Sequence, residues 1–167
     1  IMNEKVDIIV MVQGDEPMVT PRMISDSLKP FKIDKSVNVV NLMANIETIE
    51  EFEDPNEVKV VVNNNNNAIY FSREPIPSRK KGFEKVPMLK QVCVIPFRRD
   101  YLIKFNKTVE TDLEKIESVD MMRIIENDEK VHMVMTNEYS FSVDTQADLH
   151  NVERKMENDQ LMKTYME

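Results

Sequence analysis

Asp15, in Val12-Gln13-Gly14-Asp15-Glu16-Pro17, and Asp144, in Phe141-Ser142-Val143-Asp144-Thr145, have the clearest capacity for chemistry in this chain. Each follows an apolar segment that reads as a β-strand, and open parallel sheets bind ligands beyond the carboxyl ends of their strands. A hard cation such as Mg²⁺ takes one or two carboxylates and completes its octahedron with water and substrate phosphate. Asp15 and Asp144 are such a half-site if their strands are neighbours. Each also has an ordinary structural use. Asp15 suits a turn leaving a strand, and Asp144 favours the dipole at a helix N-terminus.

Other chemistries are poorly provided for. Only Gly14 and Gly82 occur, so the chain has no glycine-rich loop to cradle phosphates through backbone amides. His132 and His150 lie far apart without cysteine or carboxylate company at zinc spacing. Cys93, inside an apolar run, reads as an inert buried thiol, and a single cysteine excludes an internal disulfide. The 167 residues carry 22 Lys and Arg against 30 Asp and Glu, a net charge of −8 that argues against a nucleic-acid surface. No apolar run approaches the roughly 20 residues of a membrane span, no signal peptide opens the chain, and the cytoplasm is the expected location.

The elements that must position the two aspartates follow from patterning. Val6–Val12 is a nearly continuous β-branched apolar run, the pattern of a strand buried on both faces of a parallel sheet. It begins almost at the first residue, which suggests a fragment. Gly14 is expected to permit a sharp bend after it. Thr20-Pro21 starts a helix with Thr20 as N-cap, and Pro30 stops it. Strands are expected at 37–43, 57–62, 68–72, 88–97, 130–135 and 141–143, with a hairpin turn at the asparagines 63–67. Residues 74–87, with three prolines and Arg79-Lys80-Lys81, read as an exposed loop. Helices are expected at 48–52, at 100–105 and continuously over 112–127, and a long one opens at Thr145 with Asp148 in capping-box position. Strands alternating with helices predict an α/β fold, an open and mostly parallel sheet with an inserted antiparallel hairpin.

Three ordered segments carry a resemblance: Val12-Gln13-Gly14-Asp15-Glu16-Pro17, Tyr70-Phe71-Ser72-Arg73-Glu74-Pro75-Ile76-Pro77, and Val143-Asp144-Thr145-Gln146-Ala147-Asp148-Leu149. Together with Glu51–Val61 and Leu113–Ser118, the chain resembles the CMP-Kdo synthetases, the 3-deoxy-manno-octulosonate cytidylyltransferases. The resemblance implies a Rossmann-like nucleotidyltransferase of the glycosyltransferase-A type, cytoplasmic and homodimeric. It would serve lipopolysaccharide biosynthesis, moving CMP from CTP to the anomeric hydroxyl of a 3-deoxy-ulosonic acid with release of pyrophosphate. Asp15 and Asp144 match the family's magnesium-binding aspartates. Gln13 and Arg73 match positions around the sugar pocket, with Gln91 and Arg123 as weaker candidates there. The resemblance also implies that residues 1–167 are the C-terminal part of a single cytidylyltransferase domain. The family's opening strand and Arg/Lys-bearing loop, which hold triphosphate and cytosine, would then lie outside it, and the chain alone would be inactive or impaired.

Departures fall on the sugar side. Where the family usually has His, Gly and Tyr, this chain has Gln91, Cys93 and Ile95, and its usual Glu-Gln is Asp120-Met121. Lost hydrogen-bonding groups change which acid sugar is accepted. Three readings follow: a CMP-ketosugar synthetase, a non-catalytic homodimerising remnant without a nucleotide site, and a nucleotidyltransferase for another base or sugar.

Overall fold

A computed structural model describes residues 6–82, 85–138, 140–157 and 159–164. Its strands are β1 (Ile8–Val12), β2 (Val40–Asn45), β3 (Lys59–Val62), β4 (Ala68–Ser72), β5 (Leu89–Val92), β6 (Val94–Arg98) and β7 (His132–Met135). The helices are α1 (Pro21–Ser27), α2 (Lys29–Ile33), α3 (Ile49–Glu53), α4 (Arg99–Phe105), α5 (Asp112–Glu117), α6 (Met121–Glu126), α7 (Gln146–Met156) and α8 (Gln160–Lys163). Five strands form one sheet in the order β4-β3-β5-β2-β7, and β1 pairs with β6 in a second. An isolated antiparallel bridge between Val39 and Phe97 joins the two sheets.

The α/β class stands as expected, and the sheet is mixed. β2 and β7 run parallel, whereas β2–β5, β3–β4, β3–β5 and β1–β6 run antiparallel. The antiparallel share therefore exceeds the single hairpin expected from the sequence. That hairpin, β3–β4, does turn through the asparagine tract. Asn66 sits at φ 55°, a left-handed conformation that asparagine tolerates, and Asn63 Oδ1 accepts from the backbone N–H groups of Asn65 and Asn67.

β2 shows why the sheet is stable. Side chains alternate across a strand, and both faces of β2 are covered. Met43 joins a core with Val60, Phe71, Phe97, Met121, Met122 and Ile124, while Leu42 and Ala44 join Met23, Val92 and Val94 beneath α1.

Several local expectations are corrected, among them the continuous helix over 112–127, which is two helices, α5 and α6, parted at a left-handed Ser118. β1 is not buried on both faces: Ile9 and Val12 remain 37% and 42% exposed, and β1 pairs antiparallel to β6. Pro30 does not end a helix but sits in the first turn of α2, where a missing N–H leaves no intrahelical bond unmade. The apolar run 88–97 is two strands that part at Cys93, β5 joining the large sheet and β6 the small one. Residues 141–143 form no strand.

Candidate active site

The turn after β1 lies across the point where β5 hands over to β6. Gln13 N–H donates to Cys93 O at 3.2 Å, and Cys93 N–H donates to Glu16 Oε1 at 3.1 Å. Gly14 adopts no left-handed φ, and a Cβ there would meet nothing within 4 Å, so the bend does not require its glycine. Asp15, at the tip of this turn, is exposed.

Asp144 reaches the same place from the other end of the chain. Val143 N–H donates to the carbonyl of Asp15 at 2.9 Å, bringing the two Asp-bearing segments side by side. Thr145 then caps α7 and Asp148 closes the capping box, so the helix starts immediately after Asp144. Ser142 Oγ donates to Asp144 Oδ2 at 3.0 Å.

Both aspartates line a cleft of about 430 Å³ that also takes in Gln13, Arg73 and Gln91. Five of the six site residues expected from the sequence are thereby gathered. Gln91 projects from β5 and donates to Asn41 Oδ1 at 2.6 Å. Arg73 is held by backbone carbonyls: Nε donates to Glu117 O at 2.7 Å, while its terminal nitrogens reach Pro55 O at 2.8 Å and Ser118 O at 3.4 Å. Its fork thus braces the cleft wall. Arg123 does not reach the cleft. It pairs with Glu114, donates to the Thr108 carbonyl at 3.0 Å, and lies over the Phe105 ring at 4.5 Å.

Charged lining residues that were not site candidates from the sequence include Glu16, Lys90, Glu114 and Asp120. Lys90 is 5% exposed and pairs with Glu51 at 2.7 Å and Glu57 at 3.1 Å. Burial alone would lower its pKa, but the two glutamates outweigh burial and hold the ammonium above its usual value. Burial raises the pKa of Glu57 despite Lys90. Burial also raises Asp120, aided by the charge of Glu114. The signal for Glu16 was present in the Asp-Glu-Pro tripeptide, whereas Lys90 sits in an apolar strand where only tertiary structure supplies its partners.

The field in the cleft is negative. Seven carboxylates line it (Asp15, Glu16, Glu57, Glu110, Glu114, Asp120 and Asp144) against Arg73, Lys90 and Lys115. Cys93 registers this. Burial first, and then Glu16, Asp15, Asp120 and Asp144, push its thiol well above the ordinary range, which leaves it inert as a nucleophile. Among the described residues, no group of three or more His, Cys, Asp or Glu side chains is arranged to hold a metal. Two exposed carboxylates beside one cleft fit a cation that needs only one or two protein oxygens, which is the demand of Mg²⁺ rather than Zn²⁺.

The two sheets and the helices packed on them define an α/β protein with a charged cleft at the β5–β6 division. Its fold matches a putative glucose-1-phosphate thymidylyltransferase from Bacillus anthracis at a TM-score of 0.57 and 12% identity, covering 92% of this chain and 56% of that one, a likeness of fold alone. A closer match is the structure of CMP:2-keto-3-deoxy-manno-octonic acid synthetase complexed with CTP, at a TM-score of 0.82 and 34% identity over 92% of this chain and 63% of that one. A profile of the cytidylyltransferases matches residues 1–131, and the chain belongs to that family. It is 36% identical over 165 residues to the 3-deoxy-manno-octulosonate cytidylyltransferase of Geobacter metallireducens, and 38% identical over 156 residues to that of Geotalea uraniireducens. These alignments cover 93% and 87% of this chain but 65% and 62% of the relatives, so the chain spans under two thirds of their length. Among the described residues, no helix is long and apolar enough to cross a membrane.

Proposed function

We propose that this chain supplies the metal and acceptor-sugar side of a reaction that transfers CMP from CTP to a 3-deoxy-ulosonic acid, Kdo or a related acid sugar. The observation that carries the reading is the 2.9 Å hydrogen bond from Val143 N–H to Asp15 O, which places both candidate metal aspartates on one cleft. The anomeric hydroxyl of the sugar attacks the α-phosphorus of CTP, the bond to the β-phosphate oxygen breaks, and pyrophosphate leaves while the hydroxyl proton passes to water. Such a step asks for positioning and charge compensation more than for covalent chemistry. Both substrates are anions entering a cleft with seven carboxylates and three cationic side chains, so a bound cation is needed to offset the repulsion. Asp15 and Asp144 would hold Mg²⁺, which lowers the pKa of a bound hydroxyl and neutralises phosphate charge. Arg73 orders the wall of the cleft, which Gln13 and Gln91 also line. The chain's single cysteine fits a reducing, cytoplasmic setting for this work.

The acceptor need not be Kdo itself. Gln91, at the family's usual His, is tied to Asn41, and Ile95, at its usual Tyr, is buried and carries no hydrogen-bonding group, so neither reproduces the donors of a His or a Tyr.

Two measurements test the reading. Titration of Mg²⁺ with CTP should show at least about tenfold weaker binding in Asp144→Ala than in wild type, the range for losing a metal-site group. Equal affinity would remove Asp144 from the site. Pyrophosphate release from CTP should then be assayed with Kdo and other ulosonic acids, using the chain and a hybrid joined to the preceding segment of the Geobacter metallireducens relative. We expect release by the hybrid and less by the chain alone. An inert hybrid with every acid sugar would instead favour a non-catalytic dimerising protein.

A further inference from the structure

The segment that carries Asp144 has no sheet ladder to hold it, yet it is pinned to the turn bearing Asp15 at two points. One is the Val143 N–H to Asp15 O bond at 2.9 Å. The other is a short hydrogen bond from Ser140 Oγ to Glu16 Oε2. Both partners of this second bond are buried, Glu16 at 8% and Ser140 at 5% exposure. Glu16 spends its other oxygen on Cys93 N–H at 3.1 Å, and it has no cation partner among the described residues. Burying a carboxylate on two neutral donors is costly for a turn that needs only to reverse direction. The Ser140 carbonyl is gripped as well, by Lys90 Nζ at 3.4 Å.

Two fixed points on so short a segment set both its position and its direction. Asp15 immediately precedes Glu16, and Asp144 immediately follows Val143, so each pin lies next to a candidate ligand. Groups that hydrogen-bond around ligating carboxylates and fix their orientation are worth about 10–100-fold in metal affinity. We propose that Glu16 and Ser140 are positioning residues whose hydrogen bond sets the separation of the Asp15 and Asp144 carboxylates before any ligand arrives. The inference rests on the metal reading given above.

The test is Mn²⁺ binding to the chain, followed by the resonance of free Mn²⁺, together with thermal melting. Ser140→Ala should melt earlier, since it leaves a buried acceptor unpaired, but its folded fraction should also bind Mn²⁺ about tenfold more weakly, and Ser140→Thr, which restores the hydroxyl, should recover the affinity. Asp15→Asn reports whether the metal occupies this site at all. If wild type binds Mn²⁺, Asp15→Asn does not, and Ser140→Ala matches wild type, the positioning role is wrong while the metal reading stands. Should Ser140→Ala melt earlier yet bind Mn²⁺ with wild-type affinity in its folded fraction, the bond is structural only and the role is again refuted. If wild type binds no Mn²⁺, or Asp15→Asn binds it equally, the metal reading fails and takes this inference with it.

Discussion

Lys90 shows how a single buried charge holds the cleft together. Its side chain is 6% exposed, while Glu51 and Glu57 keep about a fifth of their side-chain surface, 21% and 19%. Replacing Lys90 by Met would leave two glutamates facing each other without a cation. Removing one partner of a buried pair costs about 3–5 kcal/mol, and the partial exposure of these glutamates puts Lys90→Met near the lower end. Urea unfolding measures it, and a midpoint equal to wild type would show that the pair does not stabilise the native state. Residue-level reading of the sequence reached the cleft residues Asp15, Asp144, Gln13, Arg73 and Gln91 because motif positions mark them, although no strand precedes Asp144. It missed Lys90 because a lysine between Leu89 and Gln91 gives no sign of three long-range partners.

At the scale of elements, the stretch 112–127 is the informative departure from expectation. Leu113, Ile116, Val119, Met122 and Ile125 keep helical spacing, yet the chain breaks into α5 and α6. Ser118 adopts φ 53°, ψ 47°, a left-handed residue that ends α5. The break has a tertiary reason: the carbonyls of Glu117 and Ser118 turn to Arg73, and Ser118 faces the cleft. Across the break, Arg123 of α6 clamps Glu114 of α5. The Arg123 hydrogen bond holds the Glu114 carboxyl below its ordinary 4.5 despite burial, with help from Thr111 N–H. Because the folded-state value is the lower one, this stabilisation is present above about 4.5 and fades as pH falls through the folded value. Glu114→Gln should therefore lose about 2 kcal/mol at pH 7, the worth of a hydrogen bond to a charged group. The gap to wild type in thermal melts should close as pH falls below the ordinary 4.5 and through the folded value, and a gap that stays constant would show that Glu114 is not held acidic.

Across the whole molecule, two sheets meet at the Val39–Phe97 bridge, and Phe97 packs with Phe105 at a ring separation of 5.7 Å. This junction places β6 beside β2 and fixes the turn after β1 over Cys93. The homodimer implied by the family resemblance is an expectation at this scale. Sedimentation equilibrium should give twice the 19.6 kDa chain mass, and a monomer at all concentrations would oppose it.

Local pattern alone determined the capped starts of α1 and α7, the short helix α3, the hairpin at the asparagines, and the two aspartates at segment ends, because capping, left-handed turns and apolar patterning are written within a few neighbouring residues. Tertiary structure alone decided which strands run antiparallel, where the 88–97 run divides, why 112–127 breaks, and that Glu16, Ser140 and Lys90 close around the cleft. Those outcomes depend on partners tens of residues away. No local periodicity encodes how a strand's neighbours are ordered or which distant carbonyl satisfies a buried donor.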